Sequence, residues 1–141
     1  MKNLGKFIVI AALLAIISAG ASAADLRLVG SNDNMEVSVD VDTIKTVVGS
    51  HTEVVVVSTY RDAQKIQGLP PFRATIARVF FRCLNGTGSI SKLHLYDNPD
   101  LKGSPIARFD YPVEWRPVDH KTDIGIVWKY ICTRGWERDT Q

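Results

Sequence analysis

Two cysteines, Cys83 and Cys132, constrain this chain more than any other feature. One closes a long alternating segment, and the other sits on the apolar side of a short helical pattern near the C-terminus. An even cysteine count in an exported chain points to a disulfide. The alternatives are two buried thiols or part of a metal site. A metal site needs three or four ligands, and neither cysteine has a Cys or His neighbour in sequence. The C-x-x-C spacing of a redox centre is also missing. A structural disulfide is therefore the expected state. Closing a loop of 49 residues would stabilise the fold by about 4 kcal/mol in the chain-entropy model. That is a large part of a domain's typical ~5–15 kcal/mol.

Export is read from the start of the chain, MKNLGKFIVIAALLAIISAGASA. Lys2 and Lys6 precede an apolar run from Phe7 to Ile17, and Ala21-Ser22-Ala23 supplies a small-x-small cleavage pattern. The run is well short of the roughly 20 apolar residues that span a bilayer. Cleavage is expected between Ala23 and Ala24. No cysteine stands at that junction to carry a lipid, so no membrane anchor is expected afterwards. The product should be periplasmic or secreted, as one domain over residues 24–141.

Cleavage also changes the charge argument. The leader removes two lysines and no acid from a chain with 17 Lys+Arg and 15 Asp+Glu, leaving bases and acids equal. A formal net charge of zero gives no reason to expect nucleic acid as a partner.

Residue alternation then predicts strands. Leu26–Val29 is short and stops at Gly-Ser-Asn-Asp. In Met35–Asp42, Met35, Val37, Val39 and Val41 share one side while Glu36, Ser38, Asp40 and Asp42 share the other. The acidic row raises the possibility of calcium. Yet carboxylates on one strand face lie about 7 Å apart, too far to encircle an ion alone. A solvated face is the expectation, and no metal or cofactor is assigned. Thr43–Val48 and Glu53–Arg61 flank Gly49-Ser50-His51-Thr52, a turn that would leave His51 solvated at its tip. The valines of Val54–Val57 suggest burial from both faces at the strand's centre.

Arg73–Leu84 is the longest predicted strand, with Thr75, Ala77, Val79, Phe81 and Cys83 toward the core. Ser89–Tyr96 follows the turn Asn85-Gly86-Thr87-Gly88, with Leu93 and Leu95 inward and Lys92 and His94 outward. Pro105–Tyr111 reads as an edge strand because of its prolines. Near the C-terminus, Ile124, Val127, Trp128, Ile131 and Cys132 recur at i, i+3, i+4, i+7 and i+8, which predicts a helix. Thr122 caps its start and Asp123 suits its dipole. Gly125 weakens its first turn, and Gly135 ends it after Arg134. The fold class is α+β: an antiparallel sheet of about six strands packed against a C-terminal helix, with one disulfide.

The same alternation places Arg78, Phe80, Arg82, Lys92, His94 and Tyr96 on the sheet face away from the helix, with Glu36, Asp40 and Asp42. Mixed charge with aromatics is a plausible contact surface for a protein partner or a second copy of the chain. Trp115 and Trp136 are further candidates, with Trp115 expected under the helix entrance. Asp40, Asp42 and His94 could meet on the open face, where a cross-strand ion pair is the expected outcome. Without H-E-x-x-H, G-x-S-x-G or a P-loop, no catalytic residue is assigned.

Four segments together, GSNDNMEVSVDVDTI, VFFRC, EWRPV and GIVWKYIC, resemble the bacterial surface-adhesin protein E family in order and spacing. The resemblance implies a compact antiparallel sheet on a C-terminal helix. It further implies an adhesin role toward host extracellular proteins such as vitronectin, laminin or plasminogen. The alternative is an envelope protein with a structural or stress-related role and no host ligand.

Overall fold

The structure is a computed structural model and describes residues 25–140. The expected leader and its cleavage site lie outside the described residues. Six strands form an antiparallel meander in chain order: β1 (Leu26–Ser31), β2 (Met35–Val47), β3 (His51–Gln64), β4 (Phe72–Arg82), β5 (Thr87–Tyr96) and β6 (Ala107–Asp110). A two-residue β7 (Arg116–Pro117) pairs with Thr87 and Gly88 of β5. Helix α1 (Asp123–Cys132) crosses one face, followed by a short α2 (Gly135–Asp139).

One set of alternating side chains makes the core. Val37 and Val39 of β2, Val54 and Val56 of β3, and Val79 and Phe81 of β4 pack with Val127 and Ile131 of α1, all buried. The register holds them on one face, pairing Val39 with Val56, Val56 with Ala77, and Val54 with Val79. Beneath the start of α1, the buried Ser58 hydroxyl donates to Asp123 Oδ2 at 2.9 Å. Tyr60, beside them, is pushed up to about 12, chiefly by burial and then by the Asp123 charge. Asp123 thus anchors the helix to the sheet as well as favouring its dipole. Thr122 caps the helix as expected, accepting from the Gly125 N–H at 3.2 Å.

Cys83 and Cys132 form the disulfide, with Cα atoms 5.3 Å apart. Strand β4 ends at Arg82, one residue before the bond, and Cys83 opens a single 3-10 turn. The bond ties the last residue of α1 to the end of a central strand, as the cysteine positions suggested.

Three expectations need correction. Met35–Asp42 and Thr43–Val48 are one strand, β2, bent by an irregularity between Asp40 and Lys45. Thr43 bridges that bend: its hydroxyl donates to the Asp40 carbonyl at 2.7 Å and accepts the Val55 N–H at 2.9 Å. Single-strand alternation cannot show such a repair. Second, the β2–β3 turn occupies residues 48–50, so His51 starts β3 and is not a solvated tip.

Third, Gly135 does not supply the left-handed stop after α1. Arg134 takes that conformation, with φ of 57°, and Gly135 opens α2. A Cβ on Gly135 would lie 2.8 Å from the Tyr130 ring, so close approach to that ring requires glycine there. Gly125 is constrained similarly: a Cβ would press into the Asp119 carbonyl and lie 2.5 Å from the His120 Cα. Its helix-weakening effect is the consequence of a turn packed directly onto the helix.

Candidate binding face

The six residues assigned from sequence share the face opposite α1. Register pairs Arg78 with Lys92, Ile76 with His94, Ala74 with Tyr96, Phe80 with Ser89, and Arg82 with Thr87. The intervening Val79, Phe81 and Leu95 point into the core and are fully buried. Arg78 and Lys92 are exposed; Phe80, Arg82, His94 and Tyr96 are half-buried. Their neighbours on β3, Val55 and Val57, make an apolar centre, with Val57 buried.

The structure adds a cluster that alternation had not assembled. The Arg82 guanidinium lies 4.0 Å over the Trp115 ring. His51 lies 4.9 Å from the Phe80 ring and 6.0 Å from Trp115. Trp115 therefore belongs to the open face and not to the helix entrance. Pairing of β7 with β5 causes this. Arg116 faces Gly88 and Pro117 faces Thr87, so the chain continues back toward Ser89 on the Phe80 side. Period-two reading of Glu114–Val118 as a strand could have found it, but two residues of pairing are too short to announce themselves.

His51 bridges two side chains, with Nδ1 2.7 Å from Ser50 Oγ and Nε2 3.1 Å from Glu53 Oε1. Hydroxyl, imidazole and carboxylate are the parts of a general-base relay. Here the ring is also packed against Phe80 and Trp115, and this joins the β2–β3 turn to the aromatic cluster.

Asp40 and His94 are not brought together. They stand on β2 and β5, with β3 and β4 between them. Asp40 Oδ1 instead accepts the Asp42 N–H at 3.2 Å, so the expected ion pair does not form. Among the described residues no group of three or more His, Cys, Asp or Glu side chains is placed to hold a metal.

Charge on this face is partly separated. Glu36 and Asp40 lie on β2; Arg78 and Arg82 on β4, Lys92 on β5 and Arg108 on β6 lie across the apolar centre, with Glu53 of β3 and Asp110 of β6 beside them. The ion pairs among the described residues are Arg27–Asp25, His51–Glu53, Arg116–Glu114 and Arg134–Glu137, which leave those four cations outside any pair.

At the end of the sheet a cleft of about 990 Å³ is lined by Val48, His51, Leu84, Trp136 and the disulfide. Trp136 packs on the core, whereas Val48 and Leu84 are almost fully exposed at two neighbouring turns. No helix among the described residues is long and apolar enough to cross a membrane.

No curated protein and no solved structure matches the chain. The family model for surface-adhesin protein E matches residues 26–133, from the first strand through the disulfide cysteine of α1. The chain belongs to the surface-adhesin protein E family.

Proposed function

We propose that the protein is an exported, non-catalytic binding domain that presents the sheet face opposite α1 to host extracellular proteins. The observation that carries this reading is the contrast between the faces. One is filled by α1, while the other leaves Arg78 and Lys92 exposed and Phe80, Tyr96 and Trp115 half-exposed. Aromatics and arginine held on a rigid sheet are the side chains that anchor protein interfaces. The Cys83–Cys132 bond and the Arg82–Trp115 stack limit how far that surface can rearrange. Family membership supports the adhesin-like character.

The test has two parts. Biotin labelling of intact cells should reach the protein if it serves adhesion. Solid-phase binding to vitronectin, laminin and plasminogen should then show saturable attachment, lost on Phe80→Ala with Tyr96→Ala. Recovery in the osmotic-shock fraction alone, without surface labelling, would exclude host adhesion and favour an envelope role.

A further inference from the structure

The four cations outside any ion pair on the open face run obliquely across three strands. Arg78 and Lys92 are opposite one another in the β4–β5 ladder, and Arg108 is opposite His94 in the β5–β6 ladder. Like charges directly across a ladder destabilise a sheet, by up to about 1 kcal/mol per pair. No anion among the described residues pairs with these four. Asp110 is opposite Lys92 but forms no ion pair with it. Arg82 is held at the end of the row by Trp115.

Strand geometry gives the row its dimensions. Arg82 and Arg78 are separated by about 13 Å along β4, and neighbouring strands by about 4.8 Å. From Arg82 through Arg78 and Lys92 to Arg108 the row spans roughly 22 Å across three strands. It is narrow and oblique. On the β3 side it is bordered by Glu53, which is opposite Phe80 and paired with His51, and by Val55 and Val57, and beyond them by Asp40 and Glu36. Asp40 lies two strands from Arg78, about 10 Å, which exceeds the ~8 Å screening length at physiological salt. The two β2 acids therefore do not neutralise the row, but they repel any anionic object wide enough to cover both; Glu53 and Asp110 lie closer, beside the row, without pairing with its cations.

We infer that this row is a binding site for a linear sulfated polysaccharide of the glycosaminoglycan type. Such a chain carries anionic groups repeatedly along its length and is narrow enough to follow the row without meeting Glu36 and Asp40. A flat anionic lipid surface would press on both strips. A compact anion such as phosphate would use only one end. His94 and Tyr96 flank the row and can donate hydrogen bonds to sugar hydroxyls. The inference rests on the face proposed above and adds a second ligand class to it.

The experiment uses the full chain as the expressing cell produces it, oxidised, on immobilised heparin. Retention is expected at about 0.1 M salt and should weaken steeply as salt rises, because bound cations release counterions. Arg78→Ser with Lys92→Ser should weaken binding about tenfold and flatten the salt dependence. Arg108→Ser alone should move both in the same direction by less. Glu36→Gln with Asp40→Asn should leave heparin binding equal or tighter. Intact near-ultraviolet dichroism in each variant separates lost binding from lost fold.

Equal retention of the Arg78/Lys92 double variant, or equal binding of fully desulfated heparin, would overturn the inference. Capture by phosphatidylglycerol vesicles as strong as capture by heparin would also overturn it. Any of these results would leave the protein-adhesion reading standing, because that reading is measured on protein ligands and through Phe80 and Tyr96.

Discussion

The two faces of this sheet are made by the same strands, one residue out of phase. On the helix side β4 contributes Thr75, Ala77, Val79 and Phe81, all buried. On the other side it contributes Ile76, Arg78, Phe80 and Arg82, none of them buried. The covered face is held by packing, a covalent bond and the Ser58–Asp123 contact. The open face is held by one aromatic cluster and bears four cations outside the ion pairs of the described residues. Stability and the proposed recognition therefore fall on alternate residues of one segment. Substitutions a single position apart should separate them.

The largest expected effect tests whether the covered face depends on its covalent bond. Replacing Cys83 and Cys132 together by alanine should lower unfolding free energy by about 4 kcal/mol, read by urea denaturation. A loss under about 1 kcal/mol would mean that Val127 and Ile131 alone hold α1 to the sheet.

Next is Gly125→Ala, where two rules oppose each other. Helix propensity favours alanine by about 1 kcal/mol. The close approach of Asp119 and His120 leaves no room for a methyl group, and overpacking costs typically 1–3 kcal/mol. A net destabilisation of about 1–2 kcal/mol is expected, measured as a shift in denaturation midpoint. Net stabilisation would show that the 119–120 turn can move off the helix.

These cases also show what was legible in sequence. Alternation separated the two faces because burial on one side leaves a period-two imprint. The cysteines marked the contact between α1 and the end of β4 because that contact is covalent. Thr43 and Ser58 were given no role and Trp115 was put under the helix entrance, since each acts through a partner distant in sequence: Val55, Asp123 and Arg82. His51 was misplaced because a turn shifted by one or two residues decides whether a side chain ends on a tip or in a strand. Gly125 and Gly135 looked like local punctuation, but their reason is tertiary crowding, which no local pattern records.

A smaller effect probes the polar contact beneath α1. Tyr60 is raised from 10.0 to about 12, first by burial. A group whose folded value is raised contributes stability that is complete below the unfolded value. That contribution is lost as pH rises through the folded value. Stability should therefore decline between pH 10 and 12, and Tyr60→Phe should flatten that decline while leaving the neutral plateau little changed. An unchanged alkaline slope in thermal melts would mean that Tyr60 ionises without disturbing the Asp123 contact.

The smallest effect belongs to the open face and carries the opposite sign. Arg78→Ala removes an exposed side chain directly across from Lys92, with no ion pair to break. Truncation at such a position ordinarily changes stability by no more than about 0.5 kcal/mol. Relief of the like-charge pair should make the change a gain of a few tenths, within the roughly 0.2–1 kcal/mol range of cross-strand pairs. Because the repulsion is exposed, the gain should shrink as salt rises past about 0.5 M. Lys92→Ala should give the same gain, and the double variant should gain less than the two singles added, since one repulsion cannot be removed twice. Salt-dependent denaturation of all three variants measures that difference. If Arg78→Ala destabilises the fold at low salt, the cation is packed into the sheet like the residues behind it, and the division of labour between the two faces fails at this position.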